Sequence, residues 1–205
     1  MNKIKIFFLT LLFINLIACD EDGVFDSNER VTGAGEIKTQ ELYLDDFAAV
    51  DLEGVANVYI TTGKKQNVSF TAYENLLKYM KASVVGDELI IKFRDNISVN
   101  SVEEIRVDIS LEEIEKITLS GVGNFYLTGP LQDFIEIELN GVGNVEAYNL
   151  PVYTANVDIN GTGNVEVRAK DMLEVDIDGL GNVYYQGAPE ITADINGLGE
   201  IVNDN

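Results

Sequence analysis

The sequence LNGVGNVEAY, at residues 139–148, recurs along the chain with small and polar residues at the same places. The aligned rows are VDLEGVANVYI (50–60), ITLSGVGNFYL (117–127), IELNGVGNVEA (137–147), VDINGTGNVEV (157–167), VDIDGLGNVYY (175–185) and ADINGLGEIVN (193–203). In the last five rows the first glycine is Gly121, Gly141, Gly161, Gly179 and Gly197, at spacings of 20, 20, 18 and 18 residues. A nearly fixed period of this length is typical of stacked repeats.

Within each row the apolar residues alternate with polar ones, as in a strand with one buried face. Glycine preceded by Asn, Asp or Ser favours a tight turn, so each row predicts strand, turn, strand. Asn-Gly turns also occur in hairpins, which leaves a meander or sandwich open. Repetition of the same side chains in the same columns favours stacking, in which each residue lies on its copy one rung away. We therefore predict an all-β, single-domain β-solenoid with rungs of about 18–20 residues.

Residues 61–105 interrupt the repeat. The segment KASVVGDELIIKF predicts a hairpin that turns at Gly86 and Asp87, and AYENLLKYM, at 72–80, is the one stretch that favours a helix, a short one.

The amino-terminal segment has the features of a secretory signal. Lys3 and Lys5 precede an apolar run, and LIAC, ending at Cys19, resembles a bacterial lipobox. We expect a lipoprotein signal peptide at 1–18, cleavage before Cys19 and lipidation of that residue. Acidic residues after Cys19 predict a flexible tether over 19–35, which leaves 36–205 as the folded domain. Cys19 is the only cysteine, so no intrachain disulfide can form.

The charge of the chain excludes several classes of partner. Removal of residues 1–18 takes away two lysines and no acids, so the net charge falls from −21 to −23. That charge argues against nucleic acid as a partner and favours cations or basic partners. The chain contains no histidine and no phosphate loop, zinc motif or dinucleotide motif, so we predict that it is not an enzyme.

The rows together with LDDFAAVDLEGVANVYITTG and ENLLKYMKASVVGDELIIKF resemble the head-GIN-domain family of auto-transporter adhesins of Bacteroidota. The resemblance covers roughly residues 36–203. It implies a right-handed parallel β-helix-like solenoid on a secreted or surface lipoprotein. One departure is Glu200, which stands where earlier rows have Asn.

Two columns of the alignment and one set of tyrosines are candidate sites. The first is a structural ladder of Asn124, Asn144, Asn164 and Asn182, with Asn57 in the first row and the repeated glycines beside it. The second is an outward acidic column of Glu138, Asp158, Asp176 and Asp194, which predicts either a solvated face or weak binding of divalent cations such as calcium. The third is a set of tyrosines suited to glycan contact, Tyr126, Tyr148, Tyr153, Tyr184 and Tyr185.

We accordingly predict a non-catalytic lipoprotein of the outer membrane, held by its lipid anchor on the cell surface, which binds an extracellular glycan or protein. No cofactor is expected apart from weakly bound calcium. The alternatives are an envelope structural protein that self-assembles through its solenoid ends as a homo-oligomer and, third, a carbohydrate-active β-helix enzyme.

Overall fold

The described part of the chain, residues 29–205 of a computed structural model, consists of β-strands and one four-residue helix. The strands before the helix are β1 (Glu29–Thr32), β2 (Ile37–Leu42), β3 (Ala49–Leu52), β4 (Val55–Thr61) and β5 (Asn67–Tyr73), and the helix is α1 (Glu74–Leu77). After it come β6 (Met80–Val85), β7 (Glu88–Phe93), β8 (Ile97–Asn100), β9 (Arg106–Ser110), β10 (Lys116–Leu119), β11 (Val122–Thr128) and β12 (Gln132–Leu139). The last five are β13 (Val142–Ile159), β14 (Val165–Ile177), β15 (Val183–Gln186), β16 (Glu190–Ile195) and β17 (Ile201–Asn203).

Strands pair between rows and not within a row. In the row 117–127, β10 pairs in parallel with β3 and β12, whereas β11 pairs in parallel with β4 and β13. The rows therefore build two series of strands. The pre-turn face comprises β3, β10, β12, β16 and the second halves of β13 and β14, and the post-turn face comprises β4, β11, β15, β17 and the first halves of β13 and β14. This pairing disagrees with a hairpin in each row.

The register keeps equivalent residues side by side. On the pre-turn face Ile117 lies beside Ile137, which lies beside Val157. Because side chains alternate along a strand, this register places every apolar column on the same side of the sheet.

The core is made by those apolar columns. Leu52, Leu119, Phe125, Ile137 and Val145 are fully buried, and so are their equivalents as far as Ile177 and Val183. Burial of a side chain of this size contributes about 1.5–3 kcal/mol, so the alternating pattern of the rows supplies the main stabilising term.

The sheet as a whole is curled, and it is mixed because antiparallel strands extend it beyond the first row. There β5 pairs antiparallel with β2 and β9, and β6 pairs antiparallel with β7. The hairpin predicted at Gly86 and Asp87 is confirmed by the β6–β7 pair, and α1 lies inside the predicted helical stretch. The fold class is therefore all-β with one fifteen-stranded mixed sheet. The pattern of the rows could not indicate the antiparallel strands, because they come from the segments between and before the rows.

The predicted tether differs from the structure in its last part. Residues Glu29–Thr32 form β1, which pairs in parallel with β8, and the Glu29 N–H donates to the Asn96 carbonyl at 2.8 Å. The acidic composition predicted a flexible tether here, but backbone hydrogen bonds to β8 hold the segment as a strand. The predicted signal peptide, Cys19 and residues 19–28 of the tether lie outside the described residues.

Across residues 29–205, the structure contains no helix with the length and apolarity needed to cross a bilayer.

Candidate functional site

The repeated glycines allow the backbones of neighbouring turns to touch. The Gly141 N–H donates to the Leu119 carbonyl at 2.6 Å, and the Val142 N–H donates to the Gly121 carbonyl at 3.0 Å. A Cβ atom built on Gly141 would overlap the carbonyl oxygen of Gly121. The glycine column is therefore needed because there is no room for a side chain between turns.

The asparagine column forms a continuous ladder of hydrogen bonds, which we call the asparagine ladder. Each Asn Oδ1 accepts from the backbone N–H one row further on: Asn57 from Asn124 (3.1 Å), Asn124 from Asn144 (2.9 Å), Asn144 from Asn164 (3.0 Å), Asn164 from Asn182 (3.0 Å) and Asn182 from Glu200 (2.9 Å). Side-chain amides also donate along the column, from Asn124 to Asn57 at 3.0 Å and from Asn144 to Asn124 at 3.2 Å. The ladder satisfies backbone donors directly after the turns.

The departure at Glu200 has a direct explanation in this geometry. Its backbone N–H donates to Asn182 Oδ1, as an asparagine would. Within the described residues no further row follows that needs an acceptor from its side chain, so an amide is not required there.

The acidic residues predicted from the alignment lie in one row on the pre-turn face. The register places Glu138, Asp158, Asp176 and Asp194 side by side, and we call this set the acidic row. A shallow cavity of about 260 Å³ covers its last three members. Within residues 29–205 no group of three or more His, Cys, Asp or Glu side chains is arranged to hold a metal ion. Calcium binding at the acidic row therefore stays a prediction.

The environments within the acidic row are unequal. Lys116 Nζ bonds Glu136 at 2.9 Å and Glu138 at 2.6 Å. Burial raises the pKa of Glu138, but the bonds and charge of Lys116 outweigh it, and the pKa lies below its usual value. Burial, then the charges of Asp176 and Glu138, raise the pKa of Asp158. One end of the row is thus neutralised, while the carboxylates beyond it repel one another.

An aromatic row runs across the post-turn face. The outward residue two places after each ladder asparagine is Tyr59, Tyr126, Glu146, Glu166 or Tyr184. The rings of Tyr59 and Tyr126 stack with their centroids 4.6 Å apart and their planes 13° apart. We call these five residues, with Asp108 beside Tyr59 on β9, the aromatic row.

Arg106 closes one side of the aromatic pair. Its guanidinium carbon lies 3.6 Å from the centre of the Tyr59 ring, and it bonds both carboxylate oxygens of Asp108, at 2.8 and 2.5 Å. The Tyr59 hydroxyl donates to Glu104 Oε1 at 2.8 Å. Burial and this hydrogen bond raise the pKa of Tyr59 to about 12.

A cavity of about 270 Å³ lies over the aromatic row. We call it the Tyr126 cavity, and its lining includes Arg106, Tyr126, Glu146, Tyr148 and Glu166. Tyr148 reaches it because the β11–β13 register slips between Tyr126 and Thr128, and its hydroxyl donates to Asp204 Oδ2 at 2.9 Å.

The structure separates the tyrosines that the sequence grouped. Tyr126 and Tyr148 line the Tyr126 cavity, whereas Tyr153 lies on the exposed side of β13 beneath Lys170. The hydroxyl of Tyr184 accepts from Asn182, and that of Tyr185 accepts from Asn203.

Sequence reasoning missed Tyr59, Arg106 and the two glutamates of the aromatic row. Tyr59 and the glutamates could have been found in the aligned rows, because each stands two residues after a ladder asparagine. Arg106 was not, because β9 lies outside the rows and its position depends on the β4–β9 pairing.

Comparisons with known proteins give a family and a fold. The family model described as "Putative auto-transporter adhesin, head GIN domain" matches residues 46–134 and 123–189. A crystal structure of a Bacteroides fragilis protein described as "a putative adhesin" is 19% identical, with a TM-score of 0.58, and the match covers 85% of this chain and 100% of that one. A Parabacteroides distasonis protein described as "Putative lipid binding protein" is 20% identical, with a TM-score of 0.50 and the same coverage of both chains. At these identities the two structures show the fold alone. A comparison with curated proteins found no match.

Proposed function

Because the chain belongs to the head GIN domain family, we propose that it is a non-catalytic cell-surface lipoprotein that binds an extracellular glycan or protein. In this proposal the rows form a right-handed β-solenoid that carries the binding surface away from the membrane. The parallel register of successive rows supports the solenoid. The observation that carries the binding function is the Tyr126 cavity, where stacked tyrosines and carboxylates are partly exposed on the sheet surface.

Several features of the cavity suit recognition and not catalysis. Tyrosine offers a flat apolar ring together with a polar hydroxyl, which is why it is enriched at binding surfaces. The carboxylates that line the cavity, Asp108, Glu146 and Glu166, come from regular strands and not from loops above the sheet. Divalent cations at the acidic row form a secondary part of the proposal. Among the ion pairs of residues 29–205 Glu138 has a cationic partner, whereas none involves Asp158 or Asp176.

The test is retention of ligands by the full-length chain, purified in detergent and immobilised at one orientation. A panel of surface glycans and matrix proteins would be passed over it with calcium or with a chelator, and the eluate assayed for released reducing or unsaturated sugar ends. We expect retention of at least one ligand class without sugar release. Sugar release would contradict the non-catalytic assignment, and failure to retain any ligand of the panel would contradict a binding function.

The proposed location has a separate test. We expect metabolic labelling with a fatty-acid analogue to tag the wild-type chain and not the Cys19→Ala variant. Protease added to intact cells should degrade the wild-type chain, because the proposal places the domain outside the outer membrane. Protection from the protease would place the domain inside.

A second candidate function, self-assembly, is favoured by the open edge of the sheet. Among the described strands, β16 pairs only with β14 and β17 only with β15. Every residue of β16 is exposed, and Leu198, between the two strands, is 72% exposed. An unpaired edge with apolar side chains is a place where a second copy can add strands.

Sedimentation of the full-length chain over a range of concentrations tests this candidate. Self-assembly predicts a concentration-dependent oligomer that the Leu198→Glu variant disperses and the exposed Val102→Glu variant does not. A monomer at every concentration would exclude it.

A further inference from the structure

The two sides of the Tyr59–Tyr126 stack offer similar chemistry, but within residues 29–205 a guanidinium lies on the β9 side alone. On the β9 side, the Arg106 guanidinium covers Tyr59 and is held by Asp108. On the β13 side, the residue paired with Tyr126 is Glu146. The protein therefore repeats, on the second side, the combination of ring face and carboxylate that holds a guanidinium on the first.

The occupied side shows how well a guanidinium fits this combination. A guanidinium is planar, so it can lie flat on a ring and still bond a carboxylate through two N–H groups. Arg106 does both at once, 3.6 Å from the Tyr59 centroid and with both Asp108 oxygens as acceptors.

The second side has carboxylates with no cationic partner of their own. Among the ion pairs of residues 29–205, none involves Glu146 or Glu166. Arg168, the next outward residue after Glu166 on β14, bonds Gln186 Oε1 through Nε at 3.1 Å. Burial, then the charges of Glu146 and Asp204, raise the pKa of Glu166. A cation placed here would relieve that repulsion.

The cavity is large enough to admit a side chain from outside. With a volume of about 270 Å³, it runs from Arg106 and Asp108 past Tyr126 to Glu146, Tyr148 and Glu166. Glu146 is exposed, so the cavity is reached directly from solvent.

We propose that the Tyr126 cavity binds an arginine side chain from a basic segment of a partner protein, stacked on the free face of Tyr126 and paired with Glu146 and Glu166. This inference rests on the proposed binding function and narrows its ligand to a protein. The charge of the chain agrees with it, because a net charge of −21 attracts basic segments and speeds their encounter.

The observations favour arginine over the two nearest competitors. A lysine ammonium can pair with the carboxylates but cannot lie flat on the ring. A sugar can stack on Tyr126, but it would leave the charges of Glu146 and Glu166 unneutralised.

The probe is a set of three synthetic peptides of equal length and otherwise identical sequence. One carries arginine, one carries lysine and one carries citrulline at the same positions. Citrulline keeps the planar shape of arginine without its charge. Dissociation constants would be measured by calorimetry with the full-length chain in detergent at physiological ionic strength, together with an oligosaccharide set as competitors. We expect the arginine peptide to bind most tightly and the citrulline peptide least tightly.

Three variants locate the binding. Loss of a ring–cation contact weakens binding by about two- to fivefold. Tyr126→Leu should therefore raise the dissociation constant of the arginine peptide by that factor. Glu146→Gln leaves the fold intact, because the side chain is exposed, and it should weaken the peptide by up to about fivefold. The matched control is Glu174→Gln, which makes the same charge change on the pre-turn face and should alter binding less than twofold.

The outcomes separate this inference from the proposed function. Equal affinity for the arginine and citrulline peptides would overturn it, and so would equal effects of Glu146→Gln and Glu174→Gln, which would indicate a diffuse charge effect. Oligosaccharide binding that Tyr126→Leu abolishes, without arginine binding, would also overturn it while leaving a glycan-binding function in place. Failure to retain any glycan or protein in the earlier panel would contradict the binding function itself.

Discussion

Gly143 shows how a single missing side chain permits the stacking of the turns. Its φ angle is 151°, and a Cβ atom there would overlap the carbonyl oxygen of Gly123 in the row before it. The same overlap recurs at Gly123 and Gly163. Two constraints therefore act on one position, the backbone angle and the contact with the neighbouring turn.

Replacement of Gly143 by alanine should destabilise the fold by more than about 3 kcal/mol, because neither the angle nor the contact can relax without moving the next turn. The control is Gly86→Ala in the β6–β7 turn, where φ is 70° and no atom lies within 4 Å of the added Cβ. That change should cost only about 1 kcal/mol, from the backbone angle. Urea unfolding compares the two, and equal losses would show that the contact between turns is not what selects glycine.

The asparagine ladder leads to a second prediction at this scale. Asn144→Ala removes the acceptor of the Asn164 N–H and the donor to Asn124 Oδ1. Each bond contributes about 0.5–1.5 kcal/mol, so we expect a loss of about 1–3 kcal/mol in the free energy of unfolding.

Glu200→Ala is the matched control, since the Glu200 side chain makes no hydrogen bond with any of the described residues. It should change stability by less than about 0.5 kcal/mol. A loss as large as that of Asn144→Ala would contradict the role assigned to the ladder.

At the scale of the element, the acidic row shows what parallel stacking imposes on charge. Residues equivalent in the repeat become neighbours, so an acid repeated in the sequence becomes a line of acids on the sheet. Like charges directly opposite each other on adjacent strands are destabilising. Lys116 offsets this at Glu138, but Asp158 has carboxylates on both sides.

Asp158→Asn should therefore stabilise the domain, by about 0.2–1 kcal/mol. The control is Asp171→Asn, an exposed acid in the middle of β14, which should have no measurable effect. Thermal melts at low and high salt are the measurement, and the gain should shrink at high salt because the repulsion is screened. A stability loss in Asp158→Asn would mean that its carboxylate is held by a favourable partner.

At the scale of the whole molecule, the raised carboxylate pKa values combine into one pH dependence. Burial, with neighbouring charges, raises the pKa values of Asp51, Asp158, Asp176 and Glu166 above their usual 3.8 and 4.5. In the interval between the usual and the raised values, the folded state binds more protons than the unfolded state. Stability therefore falls as the pH rises through that interval, and the full loss is present at neutral pH. Glu138 acts in the opposite sense, but only below its usual value of 4.5.

We expect the melting temperature to rise as the pH is lowered from neutral toward 4.5, the usual pKa of a glutamate, at constant ionic strength. The Asp158→Asn variant should show a flatter profile, since one of the contributing groups is removed. A melting temperature that falls steadily from neutral pH downward would show that favourable ion pairs, and not buried repelling acids, dominate the titration.

The rows allowed much of the fold to be predicted. Alternation identified the buried columns that include residues such as Phe125 and Val145, and the recurrence of Asn and Gly identified the turns. These features are local or periodic, so they are visible in the order of the residues. The tyrosines were predicted to contact glycans, which stays a prediction, and their grouping in space was not predicted.

The sequence by itself determined the strand content, the period, the side of each strand that is buried and the strongly acidic surface. The tertiary structure alone decided that β5 pairs antiparallel with β2 and β9, and that Arg106 contacts Tyr59 from a strand outside the rows. It also decided that a slip in register brings Tyr148 into the cavity with Tyr126. The physical reason is that periodicity reports which face of a strand is apolar, whereas the choice of partner strand depends on packing between residues far apart in the chain.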